Sequence, residues 1–160
     1  MKRVIFFAGF LLAIFSSGCK KENLKSSDTY MSAYKNGTKF WKSDNSGGIL
    51  SKVNKSISIY GHNNESLVIE LNVNDFSNLQ SSSIKEARFT TFIGGDVVSD
   101  EYSLDSNNNK NQVTITEIDE TKQLIRGRFN IYLIRSAWFS PNGEKISFTS
   151  GKFVVKYINN

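Results

Sequence analysis

The sequence predicts an all-β fold, an antiparallel β-sandwich or a partly closed β-barrel of about nine strands, preceded by a signal-peptide helix. Three observations support this prediction. After residue 30, apolar and polar residues alternate in several segments with the period of two that a half-buried strand produces. Asn-Gly, Gly-Gly and Pro-Asn-Gly sequences separate these segments and are typical of turns. No segment beyond the first twenty residues has the period of a helix.

The first twenty residues are typical of an exported protein. Lys2 and Arg3 precede an apolar run over residues 4–15, and small residues then lead to Cys19, the single cysteine. This order predicts a secretory signal peptide over residues 1–18. The apolar run is shorter than the ~20 residues that a membrane-spanning helix needs, so we expect cleavage rather than a transmembrane anchor.

The cysteine that directly follows Ser16-Ser17-Gly18 resembles the lipobox of bacterial lipoproteins, in which Leu is more usual than Ser at the position of Ser16. The resemblance implies that Cys19 is acylated and anchors the mature chain to a membrane. Acidic residues do not follow Cys19 consecutively, as they tend to in surface-exported lipoproteins of Bacteroidota, so the resemblance implies a periplasm-facing anchor in the outer membrane. Residues 19–29 are predicted to form a flexible tether, and residues 30–160 a single β domain.

The composition limits the classes of function. Removal of residues 1–18 takes away Lys2 and Arg3, so the formal net charge falls from +5 to +3. The remaining basic residues are dispersed, and we therefore expect no nucleic-acid partner. Because Cys19 is the single thiol, no internal disulfide can form and the fold must depend on packing. Neither a cofactor nor a metal is expected.

Turn sequences and alternation predict the strands in chain order. Asn36-Gly37 predicts a hairpin between residues 31–35 and 39–42, and Gly47-Gly48 predicts a break. Ser-rich residues 77–83 and the acidic, Asn-rich residues 96–111 are predicted loops, the second anchored by Tyr102 and Leu104. Further strands are expected around residues 57–59, 67–73, 87–93, 113–115, 125–133 and 151–157.

The last hairpin allows a prediction of register. Pro141-Asn142-Gly143 predicts a three-residue loop with a bulge at Gly143. The register that follows from this loop pairs Phe129 with Val155, Ile131 with Phe153, Gly127 with Tyr157 and Leu133 with Gly151. Apolar residues change face beyond Gly151, which predicts a bend or bulge there.

Two longer segments resemble a group of small, uncharacterised Bacteroidota lipoproteins that belong among the domains of unknown function. These segments are residues 30–41 (YMSAYKNGTKFW) and residues 113–130 (VTITEIDETKQLIRGRFN), followed by a final strand SGKFVVKY. The shared positions are turns, core residues and glycines. The resemblance implies a secreted, lipidated all-β domain and contributes no catalytic residues.

The side chains most suited to catalysis or metal binding do not form a recognisable motif. His62, the single histidine, lies in a polar turn without a Gly-x-Ser-x-Gly motif elsewhere in the chain, so we interpret it as a surface residue. Asp105, Asn107 and Asn109 resemble the start of a calcium loop, but Lys110 occupies the position of the required glycine. We therefore favour a solvated loop over a calcium site.

Charged residues on strands and turns have similarly ordinary interpretations. Glu117, Asp119 and Glu120 form one carboxylate cluster and Asp96, Asp100 and Glu101 another, and both are expected in turns rather than in a cleft. The outward strip of Arg126, Arg128, Asn130 and Tyr132 could bind an anion or a glycan, although a solvated sheet face is the favoured interpretation.

The tip of the last hairpin carries the candidate partner contacts. Four of these apolar residues are predicted on the opposite face from Phe129 and Val155: Ile134, Trp138, Ile146 and Phe148. Phe139, which lies next to Trp138 beside the turn, is the fifth. They either pack over the end of the core as a plug, which we favour for Trp138 and Phe139, or form a patch that binds a partner.

The sequence thus predicts a membrane-anchored lipoprotein with a non-catalytic β-rich domain in a binding or structural role, and an envelope protein or glycan as its candidate partner. The alternative is a β-barrel that binds a small apolar molecule or glycan in an interior cavity. A hydrolase is the least favoured function, because it requires paired carboxylates in a cleft.

Overall fold

The computed structural model describes residues 29–79 and 82–160. These residues contain ten strands: β1 (Tyr30–Lys35), β2 (Lys39–Lys42), β3 (Asn45–Ser51), β4 (Ser56–His62), β5 (Glu65–Asn72), β6 (Ser83–Ile93), β7 (Val97–Leu104), β8 (Gln112–Asp119), β9 (Leu124–Arg135) and β10 (Lys145–Asn159). The prediction of an all-β fold is confirmed. The predicted signal peptide, Cys19 and the tether up to residue 28 lie outside the described residues. Within the described ranges, no helix is long and apolar enough to cross a membrane.

The ten strands form one sheet that curls into a partial ring. Their order is β2-β1-β10-β3-β4-β5-β6-β7-β9-β8, and an additional pairing joins β9 to β10. Strands β10, β3, β4, β5, β6, β7 and β9 thereby form a cycle, to which β1, β2 and β8 are attached. The pairing of β3 with β10 is parallel, whereas a wholly antiparallel sheet was expected.

The side chains that point into the ring form one hydrophobic core. Leu67, Ile69 and Leu71 alternate with polar residues on β5 and are fully buried, as the sequence predicts. The corresponding faces of β9 and β10 contribute Phe129, Ile131, Phe148, Phe153 and Val155. Burial of each large apolar side chain contributes roughly 1.5–3 kcal/mol, so this core replaces the disulfides that the chain lacks.

The prediction that Gly47-Gly48 separates two strands is wrong, because both glycines lie inside β3. A Cβ atom added to Gly47 would lie 2.4 Å from the hydroxyl oxygen of Tyr60, and one on Gly48 would touch Val155 and Tyr157 at 3.4 Å. The two glycines therefore permit large side chains of neighbouring strands to cross β3 closely.

The prediction of a loop over residues 96–111 is wrong for its first half, because β7 spans Val97–Leu104 and pairs with both β6 and β9. Its polar side chains are satisfied within the sheet: Ser99 Oγ lies 2.8 Å from Thr91 Oγ1, and Asp100 accepts a hydrogen bond from Arg135. Tyr102 and Leu104 pack against the core as predicted.

The predicted register of the last hairpin is wrong, whereas the predicted core-facing residues between 125 and 133 and between 151 and 157 are correct. Ile146 and Phe148, which were expected on the opposite face from Phe129 and Val155, share the core with them. Phe153 pairs with Gly127, and Gly151 pairs with Phe129, so β10 is displaced by four residues from the prediction in this part of the ladder. The reason is a longer connection, since the last pair before the turn is Ile134 with Lys145. This even displacement keeps residues 151–157 on their predicted face, whereas the ladder nearer the tip is displaced by five residues, since Leu133 pairs with Ile146 rather than with Gly151.

The predicted bulge near Gly151 is confirmed. The β9–β10 ladder shifts register between Phe148 and Gly151, and Ser150 in this bulge has φ +52°. The backbone N–H of Ser150 donates a hydrogen bond of 2.9 Å to Asn130 Oδ1. Phe148 and Phe153 are five positions apart, and in a regular strand this odd separation would place them on opposite faces. The bulge between them lets both side chains reach the core.

Candidate functional site

The tip loop, residues 136–144, connects β9 to β10 and has a defined backbone. The N–H groups of Phe139 and Ser140 donate hydrogen bonds to the carbonyl oxygen of Ser136, at 2.9 and 3.1 Å. At its base, the N–H of Arg135 donates to the carbonyl oxygen of Glu144 at 2.8 Å. The loop is therefore held at both ends by main-chain hydrogen bonds.

Arg135 fastens the tip loop to the neighbouring strand β7. Its Nε lies 2.7 Å from Asp100 Oδ1, and its Nη1 lies 3.3 Å from Glu144 Oε2. The hydrogen bond with Asp100, followed by that with Glu144, raises the pKa of Arg135. A hydrogen bond from Ser140, and then Arg135, lowers the pKa of Glu144, against the opposing effect of partial burial. Ionised partners thus brace the loop at neutral pH.

The ion pairs around Arg135 also affect the adjacent tyrosine. The Tyr102 hydroxyl donates a hydrogen bond of 3.2 Å to Asp100 Oδ2. Burial raises the pKa of Tyr102, and the charge of Asp100 raises it further. Asp100 therefore accepts hydrogen bonds from Tyr102 on its own strand and from Arg135 at the base of the tip.

The five candidate contact residues do not form one surface. Trp138 is 90% exposed, while Ile134 and Phe139 are half-buried. Ile146 is 8% exposed and Phe148 is fully buried against the rings of Trp41 and Phe89, so these two belong to the core and cannot meet a partner in the folded domain. The favoured plug is wrong for Trp138, since its side chain extends into solvent.

The tip loop and the start of the domain lie toward opposite ends of β10. Tyr30 pairs with Val154, and Lys35 at the other end of β1 pairs with Phe148. The tip loop ends immediately before Lys145, which lies nine residues from Val154, a separation of about 30 Å along an extended strand. The tip loop and the start of β1 therefore lie far apart on the sheet.

Sequence reasoning missed the residues that support the tip. Asp100 was assigned to a loop and a carboxylate cluster, and neither Arg135 nor Glu144 was selected. No local pattern connects Asp100 with Arg135, because the two are 35 positions apart and meet through the β7–β9 pairing. The charge of Arg135 at the end of a predicted strand was the one available signal.

His62 and Asp105 have structural contacts in the described part of the chain. The exposed His62 ends β4, and its ring packs edge-on against Phe92 at a centroid distance of 5.9 Å. Asp105 is buried and accepts a hydrogen bond of 2.8 Å from Lys145 Nζ, while Asn111 binds its carbonyl oxygen. Residues 29–79 and 82–160 contain no group of three His, Cys, Asp or Glu side chains able to hold a metal ion.

The predicted carboxylate clusters are divided among separate contacts. Glu117 forms an ion pair with Arg126 across the β8–β9 ladder. Asp119 accepts a hydrogen bond from the backbone N–H of Lys122 at 2.9 Å and so shapes the following turn. The geometry does not bring these carboxylates together with the other cluster, whose Asp100 faces Arg135.

The interior of the ring does not fit the alternative of an internal ligand. The core cluster fills it with packed side chains, among them Phe89, Phe148 and Phe153, each at most 1% exposed. A groove instead lies on the outer surface, where it is lined by Arg128 and its neighbours.

The chain was compared with curated proteins and with solved structures, and neither comparison gave a match. A family model described as "Domain of unknown function (DUF6252)" matches residues 28–155. The matched region begins immediately before β1 and ends within β10, so it covers nearly the whole sheet and the tip loop. The chain therefore belongs to the DUF6252 family of domains of unknown function.

Proposed function

We propose that the protein is a lipoprotein of the Bacteroidota type, held on the periplasmic side of the outer membrane by acylated Cys19. The sequence before the β domain supports this proposal: a basic start, a short apolar run and small residues precede the single cysteine. Two or three acyl chains hold a protein firmly at a membrane, whereas one holds it weakly. The β domain would then stand on a tether of about ten residues.

We further propose that the domain has a non-catalytic role and binds an envelope protein through the tip loop. The single observation that carries this proposal is Trp138, which is 90% exposed on a loop whose backbone is fixed. Exposure of a large aromatic ring to water is unfavourable, and rigid tryptophans are enriched among residues that dominate protein interfaces. The division of the carboxylates among separate contacts favours binding over hydrolysis.

The distance between the tip loop and the attachment point of the tether supports a protein partner for the tip. The tether joins the domain at Tyr30, and β1 runs from there toward the tip, which begins about 30 Å further along β10. Exposed Ile93 and Val97 flank the turn between β6 and β7. Because the tip loop leaves β9 beside β7, with Ser136 N donating to Glu101 O, these apolar residues extend the same end of the sheet.

Site-specific photocrosslinking in living cells tests the contact. A photoreactive amino acid at position 138 should yield one discrete protein adduct, and the same substitution at Val53, which is 87% exposed in the β3–β4 turn, should not. Equal adducts from both positions, or none from position 138, would contradict the proposed contact.

Fractionation tests the anchor independently. Cys19→Ser removes the acylated thiol and should move the protein out of the membrane fraction, whereas Ser17→Ala should leave it there. Retention of the Cys19→Ser variant in the outer membrane would overturn the lipid anchor and leave the tip contact open to its own test.

A further inference from the structure

A polar groove of about 530 Å³ lies on the outer face of β8, β9 and β10, away from the tip loop. This volume falls within the ~300–1,000 Å³ typical of small-molecule sites. Its lining is made of hydroxyl, amide and cationic side chains, among them Gln112, Thr114, Arg128, Asn130, Ser150 and Lys152. No carboxylate lines it.

Arg128 and Lys152 are the charged groups of the groove, and they lie side by side. They are direct partners across the β9–β10 ladder, and Thr114 is the partner of Arg128 on its other side. Directly opposed residues have Cβ atoms roughly 4.5–5.5 Å apart, and like charges in this position destabilise a sheet. One oxyanion placed between the two cations would relieve their repulsion.

Neither cation forms an ion pair within the described part of the chain. Several other basic residues of the sheet have carboxylate partners, such as Arg126 with Glu117 and Arg135 with Asp100. Across residues 29–79 and 82–160, neither Arg128 nor Lys152 has an ion-pair partner. The structure thus leaves two adjacent positive charges available to a ligand.

Backbone irregularities shape the groove on both sides of Arg128. The β10 bulge contains Ser150, whose φ of +52° is uncommon for a residue other than glycine, and the β8 ladder shifts between Ile115 and Glu117. Bulges redirect side chains and occur preferentially beside functional sites. Asn130 holds the Ser150 backbone in place through the 2.9 Å hydrogen bond from its N–H.

Glycine at position 151 opens the floor of the groove above Phe129. A Cβ atom there would lie 2.6 Å from the Phe129 ring, so no larger residue fits without displacement. Apart from this buried ring, the lining has no aromatic side chain on which a nucleic-acid base could stack. The hydroxyl and amide groups instead match a ligand that is rich in hydroxyls.

We propose that this groove binds an acidic sugar unit, whose carboxylate, sulfate or phosphate group lies between Arg128 and Lys152. The sugar hydroxyls exchange hydrogen bonds with Thr114, Gln112 and Asn130. The paired cations select the anionic group, and the amide and hydroxyl side chains select a sugar over a free inorganic ion. This site is separate from the tip loop and does not depend on the contact proposed for Trp138.

Calorimetric titration of the full-length protein in non-ionic detergent, at low ionic strength, tests the proposal. The probes are digalacturonate, the neutral galactose disaccharide of the same linkage, and inorganic sulfate. We expect saturable binding of digalacturonate with a Kd below about 1 mM, and at least tenfold weaker binding of the other two.

Variants locate the site. Arg128→Gln and Lys152→Gln should each weaken digalacturonate binding about tenfold, because each removes a charge-assisted hydrogen bond. Lys156→Gln is the matched control, since Lys156 is exposed on the same face of β10 but does not line the groove. It should change the Kd less than twofold, and all three variants should keep the melting temperature of the parent.

Three results would overturn the proposal. They are absence of saturable digalacturonate binding, equal binding of the neutral disaccharide, and an equal effect of Lys156→Gln. Sulfate binding as tight as that of digalacturonate would also contradict the assignment to a sugar. Loss of the Trp138 contact would leave these titrations unchanged.

Discussion

Gly151→Ala tests the observed pairing of β9 with β10. In the structure Gly151 faces Phe129, and an added Cβ atom would lie 2.6 Å from three atoms of that ring. In the register that the sequence predicts, position 151 faces Leu133 instead. The same substitution therefore has different partners in the two registers.

The expected cost follows from the contact. An atom placed 2.6 Å from an aromatic carbon must displace the ring, and Phe129 is 2% exposed, so it has little space into which to move. Overpacking of this kind costs about 1–3 kcal/mol. For a domain of this size, 2 kcal/mol corresponds to a fall of roughly 6–10 °C in melting temperature.

A double-mutant cycle identifies the partner. Phe129→Leu shortens the ring that the new methyl group meets, so Gly151→Ala should cost at least about 1 kcal/mol less in that background. Leu133→Ala is the control background and should not change the cost. Urea denaturation supplies the free energies of unfolding, and relief by Leu133→Ala rather than by Phe129→Leu would refute the observed register.

Three further predictions concern the tip and the core. Arg135→Ala removes the cation shared by Asp100 and Glu144 and should lower the urea concentration at the midpoint of unfolding, because both carboxylates lose their cationic partner. An unchanged midpoint would contradict a bracing role. The lowered pKa of Glu144 means that its contribution to stability is present at neutral pH and is lost as pH falls through its folded-state pKa, so NMR titration should give a midpoint below the reference of about 4.3. A midpoint at or above that reference would exclude the contact. Trp41→Phe should lower the free energy of unfolding by less than about 2 kcal/mol in thermal unfolding, since the buried Trp41 Nε1 has no hydrogen-bond partner in the described residues. A larger loss would show that the indole N–H has a hydrogen-bond partner or that the volume of the indole ring dominates its contribution.

The sequence was informative where burial imposes a local period. The alternation of Leu67, Ile69 and Leu71 predicted a buried face that the structure confirms, and Asn36-Gly37 predicted a turn in which both residues have positive φ. Such features depend on the chain within a few residues. They therefore survive any error in how the strands are later arranged.

Features that depend on distant residues were not predictable in this way. Gly47 marks a close crossing by Tyr60 on the next strand, and its neighbour Gly48 contacts side chains of β10, but glycine pairs in a sequence are also typical of turns. The sequence of β7 has no clear hydrophobic period, because it includes polar residues such as Asp100. Asp100 fits within the sheet because Arg135, more than thirty positions away, donates a hydrogen bond to it. The positions of these residues in the sheet depend on strand pairing between distant segments, which local sequence patterns do not predict.

The candidate sites also combine features that depend on nearby residues with features that depend on distant ones. Trp138 was selected from the sequence because a large aromatic residue lies beside a turn, but its exposure and the burial of Phe148 required the packed structure. Arg128 was noted on an outward strip. Its juxtaposition with Lys152 depends on the register, which the sequence did not predict correctly.

The central claim is that acylated Cys19 holds this β domain at a membrane. Intact-mass and peptide mass spectrometry of the protein extracted from cell envelopes tests it most directly. The proposal predicts a mature chain that begins at Cys19 and carries a diacylglyceryl group, with further acylation of the new amino terminus. A chain that retains Met1, or one with an unmodified Cys19, would contradict it.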